Sequence, residues 1–111
     1  MLNNLTDKVC VPCKGGIFPL TPNEARAFLK FTAGWKLQKK ATRLRRIFKF
    51  DDFKSSLTFI QQVGKIAEQE GHHPDFEFGW GYANIQIYTH KINGLHENDF
   101  ILAAKINLIS A

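Results

Sequence analysis

Little in this sequence could staple the chain, embed it in a membrane or cradle a nucleotide. Its 111 residues contain two cysteines, Cys10 and Cys13. A disulfide framework is excluded, and two cysteines so close together are a poor staple for a fold. No run approaches the ~18–20 apolar residues of a membrane span, so no membrane partner is expected. The opening stretch MLNNLTDKVCVPCKGG has no apolar h-region. A cytoplasmic location is therefore expected, where thiols stay reduced. There is no G-x-S-x-G elbow, no Gly-rich phosphate loop and no H-E-x-x-H helix. No linker or low-complexity segment appears either. With 44% apolar residues, the chain fits one domain over 1–111, with an irregular segment at 1–20.

What is there leans positive. Fifteen Lys and Arg stand against ten Asp and Glu, a net charge of +5. Much of it lies in Lys36, Lys39, Lys40, Arg43, Arg45, Arg46 and Lys49. Such a cluster is either an electrostatic footprint for an anion or the solvated face of a hairpin. Clustered charge alone is not a binding motif, so nucleic acid is not an expected partner. An anionic small molecule stays open.

The order of elements follows from local signals. Thr21-Pro22-Asn23-Glu24 is a capping box with proline at the first helical position. Ala25, Phe28, Leu29 and Thr32 share a helical face, and Gly34 ends that helix. Trp35 to Lys40 reads as a strand, Lys39 to Thr42 as its turn, and Arg43 to Phe50 as its partner. Leu44, Phe48 and Phe50 share one face; Arg43, Arg45 and Lys49 share the other. Arg46 lands on the apolar side, so it lies near an edge or reaches a partner. Asp51-Asp52 offers an N-cap. Phe53, Leu57, Ile60, Val63, Ile66 and Ala67 then recur at helical spacing. Gly71 stops that helix and Pro74 bars its continuation.

Phe76, Phe78, Trp80 and Tyr82 alternate, which predicts a strand with its turn near Gly81 to Asn84. Ile85, Ile87 and Thr89 then face one way; Gln86, Tyr88 and His90 face the other. Asn93-Gly94 is a turn signal. Leu95 and Phe100 form a hydrophobic staple around a third helix, which runs to about Leu108. The order is α-β-β-α-β-β-α. The fold class is α+β: a two-layer domain with a four-stranded antiparallel sheet covered on one face by helices. An uncovered sheet face or edge invites a homo-oligomer.

The chemistry concentrates in two loci. One is Glu68 to Pro74, where His72 and His73 follow a helix stop. The other is Thr89-His90, near the end of the last strand. The loci meet if the final two strands pair. Histidine suits general acid–base work because both protonation states are accessible near neutrality. Asp99, in the first turn of the last helix, reads either as a carboxylate orienting a histidine or as a capping-box acid. A Cys₂His₂ zinc site from Cys10, Cys13, His72 and His73 is conceivable. However, a second CxxC and an H-x₃₋₅-H are missing, so no metal is expected.

The pattern E-x-x-x-H-H-P, then T-H, then G-L-x-x-x-D-x-x-x-A resembles the pterin-4a-carbinolamine dehydratase family. It is carried here by Glu68, His72, His73, Pro74, Thr89, His90, Gly94, Leu95, Asp99 and Ala103. Cys10 to Gly16, Pro19-Leu20-Thr21 and Trp35 add to the resemblance, which covers nearly the whole chain. It implies dehydration of 4a-hydroxy-tetrahydropterin to quinonoid dihydropterin, in recycling of a pterin used by aromatic amino-acid hydroxylases. By that resemblance His72, His73 and His90 are catalytic and Asp99 orients. Gly71, His72, His73, Pro74, Tyr88, Thr89, His90 and Lys91 would contact the pterin. The pterin is substrate, so no cofactor is expected. A homodimer or homotetramer is expected, and a hydroxylase is a candidate partner. The sequence departs from the family's usual form at Gly71, where an acid is common, at Tyr88, where a small hydroxyl residue is common, and at His96, where Ser or Thr would cap. The alternatives are a protein-interaction or transcription-coactivator module, and a pterin-binding assembly factor without dehydratase activity.

Overall fold

A computed structural model describes residues 5–8 and 18–110; Cys10 and Cys13 fall outside them. Helix α1 spans Pro22–Leu29. Thr21 Oγ1 accepts from the Glu24 amide, and Glu24 Oε1 accepts from the Thr21 amide, so the capping box closes reciprocally. The helix ends at Leu29, and a chain of turns carries it to Gly34. Gly34 has φ +87°, the left-handed conformation that side chains disfavour.

Strand β1 is only Lys36–Gln38 and β2 is Arg43–Lys49. The turn between them holds Lys39, Lys40 and Ala41 at φ of 50°, 56° and 63°. This explains why no turn dipeptide announces it: three non-glycine residues occupy the left-handed region. Helix α2 covers Phe53–Glu70. Asp52 caps it by accepting from the Ser55 amide at 2.7 Å. Gly71 ends it at φ +64°, as the sequence signals.

Strand β3 is Asp75–Gly79 and β4 is Tyr82–Ile87. Gly79 pairs with Tyr82, so the turn is Trp80-Gly81. This corrects the sequence reading, which ran the strand through Tyr82 and placed the turn at Gly81 to Asn84. Gly81, at φ +81°, supplies the turn geometry. The Phe/Gly/Trp/Gly/Tyr alternation runs straight across the turn and hides it. Helix α3 is Glu97–Ser110.

The sheet order is β1-β2-β4-β3, with every neighbouring pair antiparallel. Leu44, Phe48, Ala83, Ile85 and Ile87 point to the helices and are buried. Phe100, Leu102 and Ile106 of α3 and Val63 of α2 meet them in the core. Burying each large side chain contributes roughly 1.5–3 kcal/mol. An aromatic chain of Trp35, Phe48, Phe59 and Phe50, with neighbouring centroids 4.6–6.0 Å apart, knits β2 to α2. Arg46 does reach partners: Nη1 donates to the Ala33 carbonyl and to Asn107 Oδ1 of α3. No helix among the described residues is long and apolar enough to cross a membrane.

Candidate active site

The two histidine loci meet at one carboxylate. Asp99 is fully buried, and three donors converge on it. His72 Nε2 lies 2.6 Å from Oδ1. Thr89 Oγ1 donates to Oδ2 at 2.9 Å, and the His96 amide donates to Oδ2 at 2.8 Å. The first bond comes from the loop after α2, the second from the end of β4, the third from the N-terminus of α3. Asp99 thus meets both a histidine ring and a helix-start amide. It is the third residue of α3 reaching back to the amide before the helix, and it is also the acceptor that orients His72. Burying a charge is tolerated only where it is paired and hydrogen-bonded, and here it is both.

The local sequence explains the convergence. Gly71 turns the chain sharply out of α2, and Pro74 holds the preceding residue extended. The His72 amide still donates to the Ala67 carbonyl at 3.2 Å, so His72 is anchored to the last helical turn. Its side chain is only 11% exposed. His73 takes a different course. Its Nε2 lies 2.7 Å from Glu68 Oε1, and both side chains are mostly exposed. Glu70 Oε2, also near the end of α2, accepts from Lys105 Nζ of α3 at 2.6 Å. That pair ties the histidine-bearing end of α2 to the helix that carries Asp99.

At the other locus β4 ends at Ile87, and Thr89 bridges to Gly94. His90 therefore sits in a 3₁₀ turn, His90–Ile92, just beyond the strand. It is exposed, and its ring packs at a tilt of 41° against Tyr88 with centroids 4.2 Å apart. Arg43 meets the same phenol, with Cζ 3.5 Å from the centroid of the Tyr88 ring. Arg43 Nη2 also donates to Asn93 Oδ1 at 2.9 Å, in the turn that follows His90. Tyr88 thus touches both Arg43 and His90, and Arg43 is braced by the Asn93 turn.

His72, Thr89 and Asp99 are thus in direct contact, with His90 next in the chain. His73 is joined to them through the backbone and to Glu68 by its ring. Lys91 is exposed in the 3₁₀ turn, and Pro74 is half-buried. Sequence reasoning missed Arg43 and Asn93. Leu44 pairs with Ile87, so Arg43 falls beside Tyr88; the signal was present only once β2 was known to neighbour β4. Among the described residues no three His, Cys, Asp or Glu side chains stand close enough to hold a metal ion.

A histidine held on a buried carboxylate, at one end of a helix-backed antiparallel sheet, is an arrangement able to move protons. The family model for pterin 4 alpha carbinolamine dehydratase matches residues 18–109. The chain belongs to that family. A protein of Methylococcus capsulatus, provisionally named a pterin-4-alpha-carbinolamine dehydratase, is 52% identical over 97% of this chain and 95% of its own. One of Halorhodospira halophila with the same provisional name is 49% identical over 97% and 99%. Among solved structures, a transcriptional coactivator/pterin dehydratase from Brucella melitensis superposes with a TM-score of 0.79 and 31% identity. It covers 84% of this chain and 99% of its own. A pterin dehydratase-like RuBisCO assembly factor of the alpha-carboxysome matches at a TM-score of 0.61 and 24% identity, a likeness of fold alone. It covers 70% of this chain and 90% of its own.

Proposed function

We propose that this protein dehydrates 4a-hydroxy-tetrahydropterin to the quinonoid dihydropterin by histidine acid–base catalysis. The observation that carries the reading is the Asp99 carboxylate joining His72 to the Thr89-His90 locus. The bookkeeping of the reaction is short. The C4a–O bond breaks as a proton reaches the departing hydroxyl, which leaves as water. The N5–H electrons form the C4a=N5 double bond, and the N5 proton passes to a base. One histidine donates, one accepts, and the third binds or orients the ring. No nucleophile, metal or cofactor is needed, because the pterin is itself the substrate.

Gly71, Pro74, Tyr88, Thr89 and Lys91 would line the pterin beside the histidines. A cytoplasmic homodimer or homotetramer is the expected form, acting downstream of an aromatic amino-acid hydroxylase that supplies the carbinolamine. The test is a stopped-flow dehydration assay on carbinolamine generated in the cell. Replacement of His72, His73 or His90 by Ala should each lower the rate, by about 10²–10⁴-fold for the proton-transfer pair. Unchanged rates in all three would sink the mechanism. A wild-type protein inactive on every pterin, yet binding a protein partner tightly, would favour the interaction-module reading.

A further inference from the structure

The basic cluster of β1 and β2 is not used by the dehydratase reading beyond Arg43. Three of its members surround one cavity. Strand β1 begins only at Lys36, opposite Arg45, whereas β2 runs on to Lys49, so the sheet edge is left open beyond the short strand. A cavity of about 250 Å³ sits there, lined by Gly34, Lys36, Gln38, Arg45, Arg46 and Ile47. The lining carries three cations and no acid.

Two features make this more than a solvated face. Lys36 and Arg45 are direct cross-strand partners. Like charges placed opposite each other across an antiparallel pair destabilise the pair. Among the described residues, Lys36, Arg45 and Arg46 form no ion pair with a carboxylate. Arg45 Nε donates to the neutral Asn84 Oδ1 at 2.9 Å, which fixes its guanidinium; Glu77 lies one residue further on, beyond Asn84.

The second feature is Arg46. Its guanidinium is held by the Ala33 carbonyl at 3.0 Å and Asn107 Oδ1 at 2.7 Å, and it lies 4.3 Å from the Phe48 ring centroid. A Cβ on Gly34 would come within 2.7 Å of Arg46 Cζ, so the guanidinium packs directly against the bare backbone of residue 34. Both bonds use Nη1, which carries two of the five guanidinium hydrogens. Burial lowers the pKa of this group, which reflects desolvation with no counter-charge to offset it.

We propose that this cavity binds a compact phosphate-type anion, inorganic phosphate or the phosphate of a small monoester, held by Lys36, Arg45 and Arg46. An anion between Lys36 and Arg45 turns their repulsion into two charge-assisted contacts, and Arg46 supplies a preorganised third. A cavity of this size suits one such group and part of its hydration shell. It does not resemble the extended groove that a nucleic-acid backbone needs.

The test is an NMR titration of the full chain at constant ionic strength, with inorganic phosphate in one arm and glycerol 3-phosphate in the other. Saturable shifts confined to the amides of Gly34, Lys36, Arg45, Arg46 and Ile47 are expected. If glycerol 3-phosphate binds more tightly, the source is an ester; if not, it is the free ion. The K36Q/R45Q double variant keeps the structural Arg46 and should bind about tenfold or more weakly. In phosphate-free buffer its melting temperature should equal or exceed that of the wild type, because the repulsion is gone. A response that does not saturate, that persists in the double variant, or that sodium chloride reproduces overturns the proposal. So does tighter binding of a single-stranded oligonucleotide across residues outside the cavity. None of these outcomes bears on the dehydratase assay.

Discussion

Asp99 carries two tasks in one side chain, and an amide could not perform both. Its two oxygens serve His72, Thr89 and the His96 amide. In Asp99→Asn, one oxygen becomes an NH₂ group facing a donor. A buried donor left unpaired costs about 1–3 kcal/mol, which a shift in the urea midpoint would report. The rate should fall as well, on the order of 10²-fold, because His72 loses its fixed orientation. An Asn variant with wild-type rate would show that the His72–Asp99 contact is structural only. Arg43 makes a second case. Removing it as Arg43→Ala frees the Tyr88–His90 contact and the Asn93 turn. Stability should change by less than about 1 kcal/mol. The stopped-flow rate should fall by up to about 10²-fold, with Arg43→Lys failing to restore it. A lysine variant with full rate would exclude planar stacking as the reason for the arginine. The family resemblance singles out His72, His73, His90 and Asp99 in the sequence, and the structure joins the first and last of them directly. Arg43 was not legible there, because its partner Tyr88 lies on a strand that is not adjacent in the chain.

At the scale of elements, stops and caps were the legible part. Thr21, Asp52 and Gly71 each do locally what their residue type demands, independent of tertiary context. Turns were less legible. The β1–β2 turn uses three non-glycine residues at positive φ, and the β3–β4 turn sits inside an unbroken alternation. The first of these is improvable. Each left-handed L-residue costs ~1–2 kcal/mol, so Lys40→Gly should stabilise the protein by about 0.5–1 kcal/mol after the added freedom of the unfolded chain. A lowered melting temperature would contradict the strained turn. The converse holds at Gly71: Gly71→Ala meets nothing within 4 Å yet should cost about 0.5–1 kcal/mol, all of it conformational. Helix α2 also carries a pH dependence at its start. The Ser55 backbone amide holds the Asp52 carboxyl below its ordinary pKa. A depressed folded pKa gives stability that is complete above the unfolded value, near 3.9. It is lost as pH falls through the folded value. Acid unfolding followed by circular dichroism should therefore be shallower below pH ~4 in Asp52→Ala than in the wild type.

For the whole molecule, the site and the fold are the same set of contacts seen at two scales. Asp99 joins the loop after α2, the end of β4 and the start of α3; Lys105 and Glu70 join α2 to α3 again. A ligand that tightens this junction should therefore stabilise the entire cooperative unit and not one loop. A 7,8-dihydropterin has no 4a-hydroxyl to lose and can serve as an inert occupant. At a concentration 100-fold above its dissociation constant it would add ~2.7 kcal/mol, a rise in melting temperature on the order of 10 °C for a chain of this size. That rise should be cut in His90→Ala, which removes a proposed pterin contact. It should persist in full in K36Q/R45Q, because the basic cavity is lined by other residues. Phosphate and dihydropterin added together should then raise the melting temperature by nearly the sum of their separate effects, as independent sites require. A dihydropterin effect that phosphate abolishes would mean that the two ligands compete for one site and would overturn the two-site reading.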